Sequence, residues 1–362
     1  MIKIFGLFIV VAIVLGLLIK VLWDLFLDKD GEKTTADNLI AAAVDVIIAS
    51  LPSFSDSVLQ FLYDFLQIQK TVGEEGFSPR WLMAIGLLLL VVGVILKVID
   101  AAASCVILNM PGTIHHTKAD GMLKALKSQN CDEIETNTAN CQAEMHGLSQ
   151  TRANAIIADI QNQMERFNRE AKSKRCFTGM APIPFIIYAG TKHRGSDIRY
   201  YLEFNKATQE YTKLNNDKKF PELLRPAIKT IEATEIVVAV STTAIINETN
   251  TSQFNLPVFS LSLLEPKDNA IFSKRQLNAY INETVTFISE VCKKNSQVKR
   301  VHLLLATQAC FAYAFGKSLV LMQNRVPQIV SYHYAAPSYK VGITINGSSA
   351  GRIEKVKEVQ NV

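Results

Sequence analysis

The chain has no C-x-x-C pair, no G-x-G-x-x-G, no G-x-x-x-x-G-K-[ST], no H-E-x-x-H and no G-x-S-x-G. It therefore lacks the local signatures of zinc ribbons, dinucleotide folds, P-loop enzymes, zincins and α/β-hydrolases. Histidine is scarce, with six in 362 residues. The six cysteines, Cys105, Cys131, Cys141, Cys176, Cys292 and Cys310, fit no usual zinc spacing, even with His146 beside Cys131 and Cys141. No metal and no cofactor is expected. The cysteines read as reduced thiols of a cytoplasmic domain.

Charge is missing from two stretches. Ile4 to Ile19 and Trp81 to Leu96 carry no ionisable side chain, and each ends at a lysine, Lys20 or Lys97. A spanning helix needs about 20 mostly apolar residues. Each run reaches that length if the lysine stem lies along the helix and its ammonium snorkels to the interface. Few soluble helices are apolar on every face. No small-residue cleavage site follows the first run, so it reads as an uncleaved anchor. Spans are expected at about 4–24 and 81–103, within a membrane region 1–110, with an external helical loop at 28–79. The segment Asp28 to Pro79 holds nine acids and three lysines, and residues 105–362 carry +9 of the net +5. Positive flanks stay inside, which places both termini in the cytoplasm of a multi-pass protein.

Within the loop, Leu39 to Leu51 is apolar and alanine-rich and stops at Pro52. A second helix carries Val58, Phe61, Leu62, Phe65 and Leu66 on one face. Pro111-Gly112 marks a break, and residues 111–144 read as a connector. From Leu148 to Lys174, Ile156, Ile160, Met164 and Phe167 fall at helical spacing.

Beyond Phe177, short β-branched and aromatic runs alternate with helical stretches. Strands are expected at Pro184 to Ala189, Tyr200 to Phe204, Glu235 to Ser241, Val258 to Leu264, Val301 to Ala306, Gln328 to Tyr332 and Lys340 to Ile345. Helices are expected at Pro221 to Ala233, Lys274 to Lys294 and Gln308 to Gln323. The continuous apolar runs at 236–240 and 301–306 suit central strands of a largely parallel sheet. The expected class is α/β, with two Rossmann-like halves in one soluble domain.

In open α/β sheets, ligands sit beyond the carboxyl ends of strands. Gly190-Thr-Lys-His-Arg-Gly195 follows the first expected strand. It offers Thr191, Lys192, His193 and Arg194 either as a phosphate cradle or as a solvated hairpin turn. Ser241 and Thr242, with Thr243, either contact a ribose or base or cap the next turn. Thr307 and Gln308 stand where a strand meets a helix N-terminus, a place that suits an anion. Tyr332, His333 and Tyr334 close another strand and offer rings that stack on a base. His302, inside an apolar strand, reads as a satisfied core histidine.

The segments Gly179-Met-Ala-Pro-Ile-Pro-Phe185, Val237-Val-Ala-Val-Ser-Thr-Thr243 and Val301-His-Leu-Leu-Leu-Ala-Thr-Gln-Ala-Cys-Phe-Ala-Tyr-Ala-Phe-Gly316 resemble the SAVED domain. The resemblance covers about residues 145–350. Many family members carry a proline in the turn where this chain has Gln308. The resemblance implies two fused CARF-like halves that bind a cyclic di-, tri- or tetranucleotide. Ligand then drives homo-oligomer assembly and switches on the fused effector. Two spans at that position look like the membrane-disrupting effector of a CBASS-type anti-phage system, placed in the bacterial inner membrane. The implied partners are a cyclic-oligonucleotide second messenger, the lipid bilayer and a functionally linked synthase, with no nucleic-acid polymer. No catalytic residue is expected. The competing reading is a SAVED/CARF-like enzyme that cleaves its ligand, with His193 as the base.

Overall fold

In a computed structural model the described residues are 35–49, 79–102, 105–112, 119–126, 131–136, 138, 145–169, 174–195, 197–205, 207–214, 218–320 and 327–356. The chain divides into two units, Met1–Ala103 and Ser104–Val362.

In the first unit, helix α1 (Thr35–Ala49) packs on helix α2 (Pro79–Ala102). Ile40, Ala43 and Leu90 form the seam, and Gly86 lies against Ile47 and Ala43. The helix expected at Leu39 to Leu51 is present as residues 35–49, and it packs beside the middle of the expected second span. The remaining surface of α2 is apolar and open, with Leu88 64%, Ile95 51% and Val91 48% exposed. Side chains are described for residues 83–97 of this helix. No helix among the described residues is long and apolar enough to cross a membrane. The first expected span and the second loop helix lie outside the described residues.

The second unit holds two sheets. The first has the order β2-β1-β3-β4-β5. Its strands are β1 (Cys105–Met110), β2 (Cys131–Glu135), β3 (Lys174–Gly179), β4 (Tyr200–Asn205) and β5 (Glu210–Lys213). All of its pairings are parallel except β4–β5. The second has the order β11-β10-β9-β8-β6-β7. It comprises β6 (Glu235–Ser241), β7 (Val258–Ser262), β8 (Arg300–Ala306), β9 (Gln328–Ala335), β10 (Ser338–Thr344) and β11 (Ile353–Lys355). Here β7, β6, β8 and β9 run parallel, and β10 and β11 return antiparallel. The helices in chain order are α3 (Ala119–Leu126), α4 (Gln150–Arg169), α5 (Ile183–Thr191), α6 (Glu248–Ser252), α7 (Lys274–Lys294) and α8 (Ala309–Val320).

The two-half α/β plan is present, and it begins earlier than expected. Residues 105–110 are fully buried in the first sheet, and residues 131–135 of the expected connector form its edge. Cys176, Cys292 and Cys310 are free, but Cys105 is disulfide-bonded, contrary to the reading of all six as reduced.

Two expected elements change type. Pro184 to Ala189 is helix α5, not a strand. A short apolar run bounded by turn residues does not declare its period, and residues 184–190 are buried on every side. Residues 221–233 are extended, not helical. Pro226 breaks any helix there, and side chains of α7 and the turn after it satisfy the backbone. Asn295 Oδ1 accepts the Ile231 N–H at 2.8 Å, and Lys294 Nζ donates to the Ile228 carbonyl at 2.7 Å.

Helices α5 and α8 are the joint between the halves. Each follows a central strand, β3 or β8, and they pack against each other. A Cβ on Gly316 would stand 2.1 Å from the Ile187 carbonyl oxygen, and one on Gly190 would stand 2.2 Å from that of Tyr313. Only glycine permits this approach.

Candidate functional site

A cavity of about 320 Å³ opens where the carboxyl ends of both sheets face the starts of α5 and α8. Gly179 and Met180 after β3, Asn205 at the end of β4, Thr243 after β6 and Thr307 after β8 line it. Ile183 and Ile186 of α5 and Ala309 of α8 supply the helix ends. Asp268, Asn269 and His333 complete the wall. Neighbouring parallel strands end together, so two sheets meeting at a helix pair leave a crevice there.

Three buried polar atoms at or beside this wall have no partner among the described residues: Thr242 Oγ1, Thr307 Oγ1 and His333 Nε2. Leaving such a group unpaired costs about 1–3 kcal/mol. Burial, reinforced by His146, pushes the His333 imidazole down to about 4, so its ring is neutral at pH 7.

The start of α8 is filled from inside. Glu203 of β4 is buried, and its Oε1 accepts the Cys310 N–H at 2.6 Å. Burial pushes its carboxyl up to about 7, and hydrogen bonds from Cys310 and Ala309 partly oppose that rise.

Of the expected site residues, Thr307 and Gln308 line the cavity. Gln308 is a brace: its Oε1 accepts the Ile271 N–H at 2.5 Å and its Nε2 donates to the Ile271 carbonyl at 3.0 Å. Ser241 Oγ accepts the Ile246 N–H at 3.1 Å, which is the turn-capping alternative. Thr242 is buried behind Thr243, which reaches the cavity.

The other expected residues lie elsewhere. Thr191, Lys192, His193 and Arg194 sit at the C-terminal end of α5, about 8–12 Å along the axis beyond Ile186, which lines the cavity. That end offers carbonyls and a negative dipole, the wrong polarity for phosphate. Backbone groups of this turn and the Thr191 hydroxyl are already engaged. Thr191 Oγ1 donates to the Tyr188 carbonyl, and Asn168 ties down the Lys192 carbonyl and the Arg194 N–H. Arg175 donates to the Arg194 carbonyl. His193 is buried, with Nδ1 2.9 Å from the Tyr313 hydroxyl.

Tyr332 is buried on the other face of its sheet. Its hydroxyl is 2.9 Å from His302 Nδ1, and His302 Nε2 reaches Glu235 at 2.8 Å. His302 is the satisfied core histidine expected. Tyr334 shares that strand face and packs on Tyr339. Alternation along β9 turns the intervening His333, not the tyrosines, to the cavity.

Glu203, Asn205, Asp268 and Asn269 were not anticipated. Glu203 left one trace in the sequence, a lone acid between Leu202 and Phe204 in a buried strand. The two residues at 268–269 left none.

A family model, SAVED, described as the SMODS-associated and fused to various effectors sensor domain, matches residues 156–345, just over half of the chain. Among solved structures, the chain is similar to the Acinetobacter baumannii Cap4 SAVED/CARF-domain containing receptor with the cyclic trinucleotide 2'3'3'-cAAA. That likeness has 13% identity and a TM-score of 0.49, over 74% of this chain and 60% of that one. The same receptor with 3'3'3'-cAAA gives 13% and 0.45 over the same shares. The Moraxella osloensis Cap4 SAVED/CARF-domain containing receptor gives 12% and 0.44, over 87% and 78%. The chain thus spans less than two thirds of the Acinetobacter receptor. No curated protein matches it.

Proposed function

The chain belongs to the SAVED family, and on that premise we propose that residues 104–362 form a sensor that binds a cyclic oligonucleotide in the cavity between its two sheets. The observation that carries this reading is the cavity itself, walled by strand ends of both sheets, Gly179 and Asn205 from the first and Thr243 and Thr307 from the second. The Cap4 receptors with bound cyclic trinucleotides support the ligand class. A ring of nucleotides offers both donors and acceptors to such a wall.

In this proposal the N-terminal unit is the effector. The charge-free runs Ile4 to Ile19 and Trp81 to Leu96 support membrane insertion, as do the apolar side chains exposed around α2. One short hairpin cannot enclose a pore, so damage requires several copies gathered by ligand-bound sensors. The protein then acts as a membrane effector of bacterial anti-phage defence, in the inner membrane, fed by a cyclic-oligonucleotide synthase and with no turnover of its own. The enzymatic alternative named His193 as its base, and that ring is buried against Tyr313, away from the cavity.

The test uses the full chain in liposomes with a panel of cyclic di-, tri- and tetranucleotides. Expected is dye leakage with one cyclic ligand, accompanied by a rise in particle mass, with no linear product. Leakage that is equally strong without ligand overturns the sensor reading. Ligand-dependent leakage from a monomer overturns the assembly step.

A further inference from the structure

A phosphate would ordinarily settle at the start of α8, where N–H groups lack helical partners and the dipole is positive. That position is taken by this chain's own carboxylate. Glu203 Oε1 accepts the Cys310 N–H at 2.6 Å, and the Ala309 N–H also bonds the group. The side chain nevertheless lines the cavity. Asp268 lines it too, and no lysine or arginine does among the described residues. A phosphodiester pressed against this end would meet two acids and no cation.

Above pH 7, past the value of about 7 to which burial lifts it, the Glu203 carboxylate is ionised, and it then only accepts hydrogen bonds and has about four lone-pair positions. The helix uses three of them, through the Cys310 thiol and the Cys310 and Ala309 N–H groups. Whatever docks against the rest must donate. We propose that Glu203 reads the base edge of the ligand, receiving the exocyclic amine of a nucleobase. This deepens the cyclic-oligonucleotide reading and rests on it.

The chemistry makes a sharp expectation for a variant. The Cys310 N–H requires an acceptor, so in Glu203→Gln the amide oxygen stays on the helix and the amide nitrogen turns to the cavity. The cavity then presents a donor where it presented an acceptor, with the shape unchanged. A role confined to capping α8 would leave base preference untouched.

The experiment measures binding of the full chain in detergent to adenylate rings of two, three and four units, and to the same rings built on unsubstituted purine. Wild type is expected to bind the amine-bearing ring about 10- to 100-fold more tightly, because loss of the amine leaves a buried acceptor unpaired. In Glu203→Gln that preference is expected to fall below about threefold. Wild-type indifference to the amine overturns the inference without any variant, and so does an equal preference in both proteins. If no ring binds wild type at all, the cyclic-oligonucleotide reading falls and takes this inference with it.

Discussion

Helices α5 and α8 occupy matching places in the two halves, yet their N-termini differ. Each follows a central parallel strand and points its first turn at the same cavity. The start of α5 is Pro182, with no side-chain cap. The start of α8 holds the buried carboxylate of Glu203, donated by the other sheet. Two similar half-folds thus make one site with unlike ends, one begun by prolines that lack an N–H and one capped by a carboxylate. Duplication of a fold does not duplicate its chemistry, because a single side chain decides what a helix terminus accepts.

The most severe way to break the comparison is to part the two helices. Gly316→Ala places a methyl 2.1 Å from the Ile187 carbonyl, and Gly190→Ala places one 2.2 Å from that of Tyr313. Each is expected to cost about 4 kcal/mol or more in denaturant unfolding, since backbone on both sides must move. Gly147→Ala meets nothing within 4 Å and serves as the control, with a change under about 0.5 kcal/mol.

A smaller effect sharpens the asymmetry. Burial raises Glu203 from 4.5 to about 7. The folded chain therefore keeps a proton that the unfolded chain releases between those values, and stability falls as pH rises through that window. The shift corresponds to about 3 kcal/mol. Glu203→Gln is expected to be more stable than wild type by up to that amount at pH 8 and equal to it at pH 4, read from urea midpoints. Asp268 and His333 share the cavity and are present in both proteins. A constant difference across pH would show that Glu203 does not titrate in the fold.

The smallest expected effect concerns the far end of α5. Lys192→Ala with Arg194→Ala is expected to change cyclic-ligand affinity by less than about threefold, or about 0.7 kcal/mol. A hundredfold loss, checked by calorimetry, would restore the loop at 190–195 as the phosphate site.

What was legible in the sequence followed from period and composition. The runs 236–240 and 301–306 became central strands because a short, nearly continuous apolar run is stable where both faces of a sheet are covered. Helices α4 and α7 kept the apolar stripe that their residues announced. The reading failed at α5, where Phe185, Ile186, Ile187 and Tyr188 favour a strand by propensity and tertiary burial on all sides made a helix. That one change moved the loop at 190–195 from the ligand end of an element to its opposite end. Most of the first sheet was also missed: of its strands only β4 was expected, because β1, β2, β3 and β5 are short runs of mixed polarity.

The sequence by itself determined the class of fold, the family and the two apolar runs at the N-terminus, because each depends on local pattern alone. Tertiary structure decided which polar residues share a site. Thr307 and Glu203 are far apart in the chain and line one cavity, while Thr191 and Lys192 follow α5 directly and lie away from it. Burial and a helix dipole act through space, and only the packed chain fixes which carboxylate meets which N–H.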